Sequence, residues 1–171
     1  QKVCVVGAGS VGNICAQILW MQGLRVTAVE SNSRWLSYLY KYEIDTLAKF
    51  APSDHYDYLV DTTLNTNAFS RQDENYRDSA KILALGLSCD SDSEIGIPTG
   101  HNNGSMLRSW GPGDKDHWQQ AIRIIRSGAL KLDDHTSEIL PLTSYEKAWS
   151  SVENKEHIKV LLSPSNDLEL L

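Results

Sequence analysis

The chain has 171 residues, 41% of them hydrophobic, and a formal charge of −6. That is the size and apolar content of one domain able to bury a core. The acidic balance, with no run of Lys or Arg and no basic stripe interleaved with aromatics, argues against a nucleic-acid groove. No segment approaches the roughly 20 consecutive apolar residues of a membrane span and no signal-peptide pattern is read, so a cytoplasmic compartment is the expectation. Cys4, Cys15 and Cys89 are too few and too far apart for a metal cluster; Cys4 and Cys15 read as small core residues.

The apolar run Val3-Cys4-Val5-Val6 reads as a first strand. It ends in Gly7-Ala8-Gly9-Ser10-Val11-Gly12, and a helix-period stripe follows through Val11, Ile14, Cys15, Ile18 and Leu19. A second strand, Leu24 to Val29, closes on Glu30. Glycine turn, helix and strand-end acid stand at the spacing of a dinucleotide-binding βαβ unit. Gly7 allows the sharp turn, Gly9 lets backbone N–H groups approach a pyrophosphate, and Gly12 lets helix and strand pack closely. The phosphate charge then faces a helix N-terminus, where unpaired N–H groups and the helix dipole favour an anion. Glu30 can accept hydrogen bonds from two ribose hydroxyls and would repel a 2′-phosphate, which favours NAD over NADP. Arg34 and Ser31 are near enough in sequence to reshape that pocket and contact a 2′-phosphate.

Ser31-Asn32-Ser33 offers a helix cap, and the spacing predicts a helix from Trp35 to Tyr42. Ile44 to Leu47 reads as a short third strand. Asp54 to Asp57 is a polar turn before a fourth strand, Tyr58 to Val60, which exits through Asp61-Thr62-Thr63. A polar segment to about Ser79 reads as an exposed helix. Lys81 to Leu87 is a fifth strand, buried on both faces as parallel strands are. Residues 88–116 are loop-rich, with one β-like run, Ile95-Gly96-Ile97. An amphipathic helix resumes from Asp116 through Trp118, Ala121, Ile122 and Ile125, with Gly128 as its C-terminal cap. Then come Glu138 to Leu142, a helix from Ser144 to about Val152, and a last strand, Ile158 to Leu162. The alternation implies an α/β fold with a doubly wound parallel sheet, the Rossmann fold, as one domain over 1–171. The first strand begins almost immediately after Gln1, which reads as a domain of a longer polypeptide.

The second half narrows the family. Ile122 to Gly128, Leu140-Pro141-Leu142, Tyr145-Glu146-Lys147-Ala148-Trp149 and Ile158 to Leu162 follow in an order that resembles the C-terminal part of the medium-chain dehydrogenase/reductase superfamily, the zinc-type alcohol dehydrogenase relatives. The resemblance implies that Gly7, Gly9, Ser10, Val11 and Gly12 form the pyrophosphate turn and Glu30 the ribose acid. It implies that Thr62 and Thr63 lie on the nicotinamide side, and that Leu85, Gly86 and Leu87 lie along the nicotinamide ring. Lys159 would reach the cofactor phosphates, and Glu94 to Pro98 would be an edge through which a homodimer forms. The implied function is the cofactor-binding domain of an NAD(P)-dependent oxidoreductase that moves a hydride between an alcohol or carbonyl substrate and nicotinamide.

Two departures stand out. Arg77-Asp78-Ser79-Ala80 replaces the Pro-Gly-Gly-like turn that usually precedes the fifth strand. The GroES-like catalytic domain is absent, and with it the zinc ligands or proton-relay residues; no Cys/His/Glu set here has ligand spacing. The fragment alone is then not catalytically complete, and its partners are the missing catalytic domain and a small-molecule substrate. His55, His101, His117, His135 and His157 read as surface histidines, with His101 and Arg108 in the stretch where family members line the substrate cleft. Two other classes compete: a non-catalytic module sensing NAD or NADH, and a methyltransferase, whose glycine turn usually lacks a glycine at the position of Gly12.

Overall fold

Val3, Cys4, Val5 and Val6 are buried on both sides of their strand, which places β1 (Lys2–Val6) at the centre of a sheet. The computed structural model describes residues 1–49, 55–63, 76–85, 106–108, 113–135 and 138–164. Two compact units emerge, Gln1–Gln120 and Ala121–Leu171.

In the first unit, β1 is joined by β2 (Arg25–Val29), β3 (Asp45–Leu47), β4 (Tyr56–Asp61), β5 (Tyr76–Ala84) and β6 (Met106–Arg108) in the order β3-β2-β1-β4-β5-β6. Every pairing is parallel, with Val5 opposite Ala28 on one side and Val60 on the other. This is the expected doubly wound order, and its direction reverses between β1 and β4. The period of two in β1 divides the core. Val3 and Val5 pack with Ala16, Val26, Leu36 and Leu39, while Cys4 and Val6 pack with Val29, Tyr56, Leu59 and Ile82.

Helix α1 (Ser10–Met21) returns the chain from β1 to β2. Its buried line is Gly12, Asn13, Ala16 and Gln17; Ile14, Cys15, Ile18 and Leu19 are only half-buried and Val11 is exposed. The core-facing stripe is therefore rotated from the apolar one read in the sequence, because two amides satisfy each other inside. Gln17 Nε2 donates to Asn13 Oδ1 at 3.1 Å, and Tyr42 Oη donates to Gln17 Oε1 at 2.8 Å. Cys15 is partly covered, and burial raises its thiol pKa.

Helix α2 (Ser33–Ser37) is capped by Asn32, whose side chain accepts from the Arg34 N–H at 3.1 Å. It is shorter than the helix expected to Tyr42. Beyond Ser37 the backbone tightens into three-residue turns, Leu39 N–H to Leu36 O, Tyr40 N–H to Ser37 O and Tyr42 N–H to Leu39 O. This winding buries both Leu36 and Leu39 and delivers the Tyr42 hydroxyl to Gln17.

Two strand readings are corrected. Tyr76 to Ser79 belong to β5 instead of an exposed helix, and Tyr56 is a buried strand residue instead of part of a polar turn. The Tyr56–Tyr76 pair is followed directly by Tyr58–Lys81, so the β5 register shifts between them. Strand β6 was hidden because Met106-Leu107-Arg108 is short and flanked by Ser and Gly. The Ile95 to Ile97 run, most of the polar segment and Cys89 lie outside the described residues.

Helix α3 (Lys115–Arg126) starts at Asp114, whose Oδ1 accepts from the His117 N–H at 3.0 Å. That bond, with the His117 ring beside it, lowers the Asp114 pKa. His117 Nδ1 stands 3.3 Å from the Asp114 backbone nitrogen and 2.8 Å from its carboxylate. Gly128, at φ +69°, ends the turn as expected. The second unit holds the parallel pair β7 (Glu138–Pro141) and β8 (Val160–Ser163), joined through a 3₁₀ turn at Leu142–Ser144 and α4 (Tyr145–Glu153). The last strands thus form a sheet of their own. Glu138 clamps this unit, taking Lys147 Nζ at 2.7 Å and facing His157 Nε2 at 3.5 Å.

Substituting Tyr42→Phe removes one donor from the buried amide pair while keeping the ring. The loss expected is about 1–2 kcal/mol in urea unfolding; an unchanged midpoint would show that the network does not hold the 38–43 turn.

Candidate functional site: the glycine turn at the sheet's switch point

The carboxyl ends of β1, β2 and β4 meet where the strand order reverses, the position at which open α/β sheets form their ligand crevice. The turn leaving β1 is fixed from two sides. The Gly7 N–H donates to Val29 O at 2.8 Å, tying the turn to β2. The Thr62 N–H donates to Val6 O at 3.0 Å, and the Thr62 hydroxyl stands 3.0 Å from Val6 O and 3.3 Å from Gly7 O, tying it to the end of β4.

The three glycines separate into two kinds. Gly7 has φ +87°, and a Cβ there would lie 2.7 Å from Thr62 Oγ1 and from Thr63 Cγ2. At Gly12 a Cβ would fall 1.9 Å from the Gly7 carbonyl oxygen. Both glycines are demanded by the protein's own packing. Gly9 differs: its φ is −65°, and the nearest atom to an added Cβ is Trp35 Cζ3 at 3.5 Å, an ordinary contact. The fold does not require a glycine at position 9.

Gly9 is also the N-cap of α1, with no side-chain cap, and the first turn carries no acidic residue. The leading N–H groups of a helix have no partner within it, so this end is positive and open to an anion. Ser10 and Val11 start the helix, and Val11 is 56% exposed although apolar.

Glu30 lies across from this helix end. Its Oε2 accepts from the Ala8 N–H at 3.1 Å, and its Oε1 accepts from the Asn32 N–H at 2.9 Å and the Ser31 hydroxyl at 3.2 Å. The carboxylate is thereby oriented by the glycine turn on one side and by the start of α2 on the other. The structure gathers Gly7, Gly9, Ser10, Val11, Gly12, Glu30, Ser31, Thr62 and Thr63 around this turn; Arg34 is exposed on α2. Leu85 follows β5, its N–H bonded to Asp61 O at 2.8 Å. Gly86, Leu87, His101 and the 94–98 edge lie outside the described residues. Lys159 is exposed just before β8, in the second unit.

The sequence reading missed Asp61, which is 2% exposed at the end of β4. Its Oδ1 accepts both the Thr63 N–H at 2.9 Å and the Thr63 hydroxyl at 2.7 Å, which shapes the exit turn. An acid directly after an apolar strand and two residues before a threonine was the available signal. The surface reading of the histidines also needs correction: His55 and His117 are exposed, but His135 is buried and His157 is half-buried against Glu138. Among the described residues no group of three or more His, Cys, Asp or Glu side chains is placed to hold a metal, and no helix is long and apolar enough to cross a membrane. A groove of about 310 Å³ opens at the amino ends of the strands, lined by Lys2, Arg25, Asp45 and His55 among others, and includes none of the glycine-turn residues.

No family model and no curated protein sequence matches the chain. Solved structures do. An alcohol dehydrogenase from Thermotoga maritima superposes with a TM-score of 0.79 at 19% identity, over 96% of this chain and 50% of its own. The fold is that of alcohol dehydrogenase, over about half its length. The alcohol dehydrogenase from Thermus sp. ATN1 gives a TM-score of 0.78 at 18% identity, covering 96% of this chain and 51% of its own. L-idonate 5-dehydrogenase from Escherichia coli gives 0.78 at 15%, covering 95% and 49%. The chain thus spans about half the length of the alcohol dehydrogenase structures it matches, and the likeness implied by its C-terminal motifs holds for the fold.

Gly12→Ala drives a methyl group into the Gly7 carbonyl and should cost more than about 3 kcal/mol in chemical denaturation, whereas Gly9→Ala should stay within about 1 kcal/mol of the parent. Equal losses at the two positions would contradict this division.

Proposed function

We propose that this crevice binds a dinucleotide, NAD in preference to NADP, and that the chain is the cofactor-binding part of an alcohol dehydrogenase-like oxidoreductase. The observation that carries the reading is Gly9. Packing accounts for the other two glycines, while at position 9 the missing side chain benefits only a group that comes in against the backbone.

The residues fit the group in a definite division of labour. The uncapped first turn of α1 at Ser10, Val11 and Gly12 presents N–H donors and a positive helix end to a diphosphate. Glu30, already oriented by Ala8 and Asn32, offers acceptor oxygens to the ribose hydroxyls and repels an additional phosphate. Thr62 holds the Gly7 carbonyl, and Asp61 holds Thr63, so the turn on the nicotinamide side is braced from within the protein. When bound, the nicotinamide supplies the hydride acceptor or donor for an alcohol or carbonyl substrate. The chain's own part is to bind and orient. The acid–base or zinc chemistry, and most of the substrate recognition, are assigned to a partner domain of the kind that fills the other half of the longer dehydrogenases.

Calorimetric titration of the chain with NAD, NADP and S-adenosylmethionine tests the reading. NAD should bind and NADP more weakly. Both Glu30→Ala and Gly9→Ala should weaken NAD by about tenfold or more, with the fold unchanged by circular dichroism. A folded protein that takes up S-adenosylmethionine in place of NAD, or neither, would overturn it.

A further inference from the structure

The residue that faces Gly9 is Trp35, and three observations single it out. Among the described residues, its indole is what a Gly9 side chain would meet beyond its own helix, with Cζ3 at 3.5 Å and Cε3 at 3.8 Å. Its ring N–H is buried and has no acceptor among the described residues. Its backbone, in contrast, is held: the Trp35 N–H donates to Asn32 O at 3.0 Å, and Asn13 Nδ2 approaches Trp35 O at 3.5 Å. The main chain is fixed while no hydrogen bond fixes the ring.

An unpaired buried donor is costly, and proteins usually satisfy such groups. Here the donor belongs to a side chain five residues beyond the acid at the β2 end, packed on the turn at the β1 end. A group touching Gly9 from that side meets the benzo edge of the indole first. The ring therefore has to yield when something seats against Gly9, and the movement frees its N–H to reach an acceptor.

We propose that Trp35 is the residue that meets the adenosine half of the dinucleotide: its indole leaves Gly9 as the nucleotide seats, stays against it as a wall, and donates its N–H to a ribose or phosphate oxygen. This rests on the dinucleotide reading above, and it specifies where the ligand's adenosine side lies. Glu30 holds the ribose and the start of α1 holds the diphosphate, so a side chain touching Gly9 from α2 stands at the junction of the two. A bare Trp in a core would be explained by packing alone; this one is half-exposed, lies on the turn and has an unsatisfied donor.

The test titrates the whole chain with NAD and with ADP-ribose, which keeps the adenosine, the diphosphate and the second ribose and lacks only the nicotinamide, and follows both heat and tryptophan emission in the parent, Trp35→Phe and Trp35→Ala. The chain has five tryptophans, so the Phe variant identifies the Trp35 share of any emission change. Both ligands should change the parent's emission. Trp35→Phe should lose most of that change and bind both ligands more weakly by a similar factor, about fivefold or more. Should Trp35→Ala fail to fold, Trp35→Phe still carries the test. Unchanged affinity and emission response in Trp35→Phe, with NAD bound normally by the parent, overturns the role of Trp35 and leaves the dinucleotide site standing. Tighter binding by Trp35→Ala also overturns it, by showing the ring to be an obstacle only. No heat from either ligand with the folded parent overturns the dinucleotide reading and this inference with it.

Discussion

The carbonyl of Gly7 occupies the place where a side chain of residue 12 would be. Strand β1 and helix α1 can approach so closely only because that side chain is missing, and the Thr62 hydroxyl reaches the same carbonyl from β4. One peptide group thus fixes the relation among the first strand, the first helix and the fourth strand. The direction of α1 follows, and with it the direction of the open helix end. Glu30 inherits its position as well, since its carboxylate is oriented by the N–H of Ala8, the residue after Gly7.

A second constraint acts one helical turn further on. Asn13 and Gln17 are buried to within 1% exposure in the middle of an otherwise apolar packing surface. They are tolerated because each amide meets another polar group, and the chain of contacts runs from Trp35 through α1 to Tyr42. Leucine at either position would fill the space, but without the hydrogen bonds that join α1 to the segment after β2. That segment has little regular structure of its own, since α2 is five residues long and continues as tight turns. The polar contacts hold in register a stretch that helix propensity would not.

The strands and the glycine turn were legible because their signals are local. A β-branched run followed by three spaced glycines, and a second run closing on an acid, need no knowledge of distant residues. The readings that failed depended on contacts far along the chain. The helix expected to Tyr42 gave way beyond Ser37 to i→i+3 turns, which bury Leu36 and Leu39 and bring the Tyr42 hydroxyl to Gln17 on α1. Tyr76 to Ser79 look polar and exposed by composition, yet they join β5 because Tyr76 finds a partner in Tyr56, 20 positions earlier. For the candidate site, residue identity disclosed Gly7, Gly12 and Glu30. It did not disclose that Asp61 would brace Thr63 or that Trp35 would rest on Gly9, because both depend on how separate turns pack. Nor could the amphipathic pattern of α1 reveal which of its faces was innermost, since hydropathy counts Asn13 and Gln17 as outward-facing.

The register shift in β5 bears on how this fold accommodates change in length. Between the Tyr56–Tyr76 and Tyr58–Lys81 pairs, two steps along β4 are matched by five along β5. Beyond the shift, pairing is regular from Lys81 to Ala84, up to the end that faces the crevice. Slack is therefore stored at the amino end of the strand, on the far side from the glycine turn. An insertion or deletion among residues 77–80 can be absorbed there without moving Leu83 or Ala84 relative to β4. The rim of the sheet beside the glycine turn is thereby insulated from a change in chain length at its base.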